Sequence, residues 1–167
     1  MGRNINNILR FILLLLFQVT ILNRINFGGF INPQIYVLYV ILFPYYNKHK
    51  SFFLLSSFFL GISIDFFMNT GGINAFSLTM IAYFRQDIFN IIIGKQDKNS
   101  DLSFHDIPTS KAITYILILT FIHSTSMFWL ENFSLHGLGT MFIRVILSSI
   151  YSTIIIFLSL SLFLRKK

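Results

Sequence analysis

Residues 58–85 read FFLGISIDFFMNTGGINAFSLTMIAYFR. An apolar run carries one carboxylate, Asp65, and breaks at Asn69-Thr70-Gly71-Gly72. A second apolar run follows and ends on Arg85. The break is a turn signal, because Gly and Asn adopt left-handed backbone at little cost. Two apolar rods joined by a tight polar turn make a helical hairpin. In lipid, a carboxylate inside such a rod costs roughly 2.5–3.5 kcal/mol on an insertion scale. Asp65 must therefore face protein or sit close to the interface. Ser57, Gly61 and Asp65 recur every four residues, so they share one helix face. Small residues there let a neighbouring helix approach closely.

The same pattern extends both ways along the chain. Apolar spans are expected near residues 5–22, 31–46, 52–68, 73–93, 112–130 and 141–164. Crossing about 30 Å at 1.5 Å per residue takes about 20 residues. The 167 residues are then filled by a single domain. The expected fold is an all-α integral membrane protein, a bundle of about six transmembrane helices. Composition agrees: 54% of residues are hydrophobic and 11% charged, too few charges to cover a water-soluble fold. Mean hydropathy is +0.71. No cysteine is present, which excludes disulfides and thiolate metal sites. No small-residue cleavage site follows the first apolar run, so no cleaved leader is expected.

The net charge of +7 has no basic soluble domain to carry it, so nucleic acid is not an expected partner. The positive-inside rule accounts for it instead. With a cytoplasmic N-terminus, every Lys and Arg except Arg24 and Arg144 falls on the inner side. Both termini are therefore expected in the cytoplasm. Tyr45, Tyr46 and Trp129 fall where interfacial aromatics belong. The longest polar stretch, 94–111, reads as a solvated linker. It could also be a docking loop anchored by Leu102, Phe104 and Ile107.

Few residues are placed to carry chemistry. Asp65 has two readings: it hydrogen-bonds or caps a neighbouring helix, or it contacts a ligand or carries a proton. Arg85 is expected to snorkel to the inner interface, and Arg24 or Arg144 is the expected partner of Asp65. His123 reads as a satisfied interior histidine, with ligand binding or titration as the alternative. Ser148, Ser152 and Ser159 read as a close-packing stripe. No Walker loop, His-Glu-x-x-His or Gly-x-Ser-x-Gly motif occurs. A His123–Ser126 pair has no orienting acid, so it makes a poor nucleophile and base. No enzyme activity, cofactor or metal is expected.

The stretch from Phe59 through Gly61, Asp65, Gly71-Gly72, Asn74 and Ala82-Tyr83-Phe84-Arg85 resembles the bacterial rod shape-determining protein family MreD. That family shows a Gly-x-x-x-Asp helix, a Gly-containing outer turn and a span ending in Arg. Asn32-Pro33, Pro44 and the run from His123 to Glu131-Asn132-Phe133 look similar too. Ser124 stands where close relatives would be half expected to have a second histidine, so no paired-histidine role carries over. The resemblance implies a non-enzymatic component of the bacterial inner membrane. Its implied partners are MreC, the actin-like MreB, RodA and a class B penicillin-binding protein. The family also resembles the substrate-binding membrane subunits of energy-coupling-factor (ECF) vitamin transporters, which share a six-helix fold with an outward pocket. Gly61, Asp65, Gly72, Asn74, Arg85 and His123 are the candidate partner or ligand contacts.

Overall fold

The computed structural model describes residues 2–24, 32–44, 50–94, 107–131 and 138–164. Regular structure among them is all helical: α1 (Gly2–Thr20), a 3-10 turn (Leu22–Arg24), α2 (Val37–Leu42), α3 (Lys50–Met68), α4 (Ile73–Ile92), α5 (Thr109–Glu131) and α6 (Leu138–Leu164). Three of these are long and apolar enough to cross a membrane: α3, α5 and residues Leu138–Leu162 of α6. Neighbours in sequence pack as neighbours in space along α3, α4, α5 and α6, while α1 lies against α3.

The burial pattern differs from that of a water-soluble protein: large apolar side chains are exposed while polar ones lie among the hydrophobic core. On α1 the exposed residues include Ile5, Ile8, Leu9, Ile12, Leu13 and Leu16, while Gln18 is wholly buried. Those exposed positions recur at helical spacing, so one stripe is apolar and turned outward. The interior holds Asp65, Asn74, Arg85, His123 and several Ser and Thr side chains. Such a surface suits lipid, where each buried polar group must find its partner inside the protein.

The second expected span differs from the sequence reading. Among its described residues, 32–44, only Val37–Leu42 is helical. At 1.5 Å per residue it is about 9 Å long, too short to cross alone. Pro33 disfavours helix at the residue before it, and Pro44 drives Phe43 to extended backbone (φ −64°, ψ 139°), which ends α2. The segment 33–41 is nonetheless the most enclosed part of the molecule. Tyr36, Val37 and Val40 are at most 1% exposed, and α2 touches α1, α4 and α5. It threads the centre of the bundle as non-helical chain followed by a short helix.

Candidate functional site

The α3–α4 hairpin is built around Gly61 and Asp65. A Cβ on Gly61 would lie 2.4 Å from the Ala75 Cα and 2.8 Å from the Asn74 carbonyl oxygen. The two backbones are therefore in contact, and glycine alone permits it. One turn further along α3, the Asp65 carboxylate lies over the start of α4. Its Oδ1 accepts from the Asn74 backbone N–H (3.0 Å), from Asn74 Nδ2 (2.9 Å) and from the Thr70 hydroxyl. Its Oδ2 accepts from the Ala75 N–H (2.8 Å).

Those backbone donors are the second and third of a helix that begins after Gly72. Gly72 is the N-cap, has φ +97° and has no side chain to offer. Asp65 supplies the cap from the preceding helix. The negative charge also faces the positive end of the α4 dipole. The turn itself follows from sequence. Asn69 is left-handed (φ 56°), and the Thr70 N–H returns to the Asp65 carbonyl at 3.2 Å, the Schellman closure of a helix end.

The arrangement continues inward. Asn74 Oδ1 accepts from the Tyr36 hydroxyl at 2.6 Å. The Tyr36 ring meets the His123 ring edge-on with centroids 5.2 Å apart. His123 Nδ1 lies 2.9 Å from Gln34 Oε1, which also accepts from the Ser124 hydroxyl at 3.0 Å. An amide oxygen only accepts, so His123 carries its proton on Nδ1. Among the described residues its Nε2 is buried without a partner, as is Ser77 Oγ.

The central segment is held by side chains throughout. Gln18 donates to the Pro33 carbonyl (3.0 Å) and accepts from the Ile35 N–H (3.0 Å). The Asn32 and Gln34 N–H groups donate to Ser148 Oγ (3.2 Å) and Ser152 Oγ (2.9 Å). At the far end, Arg10 donates to the Leu42 carbonyl (3.2 Å) and Arg85 to the Val40 carbonyl (2.7 Å). These are last-turn carbonyls with no helical partner, and two cations also suit the negative end of the α2 dipole.

Comparison with family models, with curated proteins and with solved structures finds no match to this chain. The resemblance to the MreD family thus rests on the quoted residues alone.

Of the six sequence candidates, the structure brings Gly61, Asp65, Gly72 and Asn74 together at one end of the hairpin. His123 joins them through Tyr36. Arg85 lies apart, twelve residues into α4, at about 18 Å along the helix axis. Three expectations change. Arg85 does not snorkel: it is 5% exposed, and its guanidinium stands 5.0 Å from the Phe53 ring centroid. Among the described residues, the Asp65 carboxylate takes its hydrogen bonds from Thr70, Asn74 and Ala75 rather than from an arginine; the Arg24 side chain lies outside them. Ser148 and Ser152 bond the central backbone, while Ser159 turns back to the Ile155 carbonyl (2.7 Å).

Arg10, Gln18, Gln34 and Tyr36 were not singled out from sequence. Gln18 had a signal, a lone amide inside an apolar run. Ile107 is buried, but Leu102 and Phe104 of the supposed docking loop lie outside the described residues, as do Tyr45 and Tyr46.

Proposed function

We propose that this chain is a non-enzymatic membrane component of the bacterial cell-elongation machinery, in the manner of the MreD family it resembles. Both termini would lie in the cytoplasm. MreC, MreB, RodA and a class B penicillin-binding protein would be its partners. The observation that carries this reading is the state of Asp65. Both of its carboxylate oxygens are taken up by groups of the same hairpin, so the most costly side chain in the bundle serves the fold. The Gly61 face is filled by Ala75, and the Ser148–Ser152 face by the central segment. A partner would instead meet the outward apolar surface of α1, α3 or α6.

Depletion in a rod-shaped host tests the proposal: cells should round and widen. Unchanged width and shape would overturn it. A photo-crosslinker at Ile12, Phe66 or Phe142, all exposed, should recover cell-wall synthesis proteins.

One observation favours a second reading, a substrate-binding subunit of an ECF-type vitamin transporter. His123 Nε2 and Ser77 Oγ are buried in the polar interior without partners among the described residues, as groups awaiting a small ligand would be. A transporter ATPase module among the crosslinked proteins, or a vitamin retained through purification, would select it.

A further inference from the structure

At the opposite end of the α3–α4 hairpin from Asp65, a cavity of about 40 Å³ opens between the start of α3 and the middle of α4. Lys50, Arg85 and Gln86 line it together with Phe53, Tyr83 and Pro44. Two cations and an amide face this space, and among the described residues no carboxylate lines it. Arg85 is 95% buried and lines it, held by the Val40 carbonyl and by the Phe53 ring. Lys50 is at the rim, its Nζ 4.6 Å from the centroid of the exposed Tyr83 ring. α3 begins at Lys50, so the positive end of its dipole lies at the same rim.

We infer that this cavity binds one phosphate group, carried by an anionic phospholipid or free in solution. Size supports a single tetrahedral oxyanion: a water takes up roughly 10–15 Å³ of such space, so about three fit. A buried guanidinium and an exposed ammonium on the same cavity suit phosphate oxygens. Phe52, Leu55 and Phe84, exposed on the same two helices, offer an apolar outer surface along which acyl chains can lie. The cavity shares Pro44, Tyr83 and Arg85 with the resemblance, but its charge and size, and not the family, carry the inference.

The test uses the full chain, purified in mild detergent, with thermal unfolding as the readout. One arm adds inorganic phosphate at a few millimolar, too dilute for general salting-out. The other adds phosphatidylglycerol, compared with phosphatidylcholine at equal mole fraction. The expected result is a Tm rise of several degrees in at least one arm. Lys50→Glu, an exposed substitution, should abolish it and Lys50→Gln should at least halve it. Lys111→Glu removes the same charge from an exposed position outside the cavity and should keep the full rise. A rise with phosphatidylglycerol alone identifies a lipid headgroup. A rise with phosphate alone identifies the free ion, and a rise with both identifies the phosphate group whatever carries it. No rise in either arm, or an equal rise in Lys50→Glu, overturns the inference.

Discussion

A helix that starts on glycine has no side chain with which to cap itself. Here the carboxylate of Asp65 crosses from α3 to do it, and Gly61 makes the crossing short enough. Asp65→Leu would strip the acceptor from two backbone N–H groups and from the Asn74 amide. Buried donors left bare cost about 1–3 kcal/mol each, and loss of a cap alone costs about 1 kcal/mol. The expected result is a Tm lowered by roughly 5–10 °C in detergent. Asp65→Asn keeps one acceptor oxygen and should lose about half as much. Wild-type melting of the leucine variant would remove the capping role. Gly61→Ala places a methyl group against the Ala75 backbone. Overpacking of this kind costs about 1–3 kcal/mol. Because the displaced helix also leaves Asp65, the effects of Gly61→Ala and Asp65→Asn should combine to less than their sum. Strict additivity in a double-mutant cycle would show that the two residues act separately. The Gly-x-x-x-Asp spacing was legible in the sequence, since four residues on a helix put both on one face. The partner of Asp65 was harder to see. Its acceptors meet backbone N–H groups, which every sequence contains and no sequence pattern marks.

At the scale of elements, the hairpin was legible and the central segment was not. Apolar length signals a rod, and α3, α5 and α6 are rods of spanning length. The run near residues 31–46 also reads as apolar, yet its described residues fold as non-helical chain followed by the six-residue α2. Hydropathy reports where a segment is buried, and says nothing of how its backbone is satisfied. Pro33 and Pro44 were the available signals, because each biases the residue before it away from helix. What hydropathy hides, the side chains of α1 and α6 provide: Gln18, Ser148 and Ser152 stand in for missing helical partners. Ser152→Ala should therefore be costly, leaving the buried Gln34 N–H without an acceptor, at about 1–3 kcal/mol. Ser159→Ala removes only a hydroxyl turned to its own helix and should change stability by less than about 0.5 kcal/mol. Thermal unfolding of the two variants side by side checks this. Equal, small effects would mean that Ser152 does not hold the segment.

For the whole molecule, the open quantity is which end of the bundle faces which side of the membrane. The hairpin fixes relations that any orientation must obey. The Asn69–Gly72 turn lies at one end of α3 and α4, while Lys50 and Gln86 lie at or toward the other. α5 begins at Thr109, after Pro108, and α6 at Leu138. From the charge bias, Lys50, Arg85 and Lys111 are expected inside and the turn outside. The chain contains no cysteine, so single-cysteine variants give a clean background for labelling. Gly71 is exposed and makes no close contact that a side chain would disturb, although its φ of +61° makes any substitution there mildly strained. Thr70 takes part in the cap and is avoided, so exposed Asn69 serves as a second outer position. Cysteines at Asn69, Gly71 and Gly139 should react with a membrane-impermeant maleimide in intact cells. Cysteines at Lys50, Gln86 and Ser110 should react only after permeabilisation. Labelling of the second set in intact cells, with protection of the first, would invert the bundle. It would put the Lys50–Arg85 cavity outside and leave the elongation proposal without its cytoplasmic face. Labelling of both sets alike would mean that the hairpin does not cross at all.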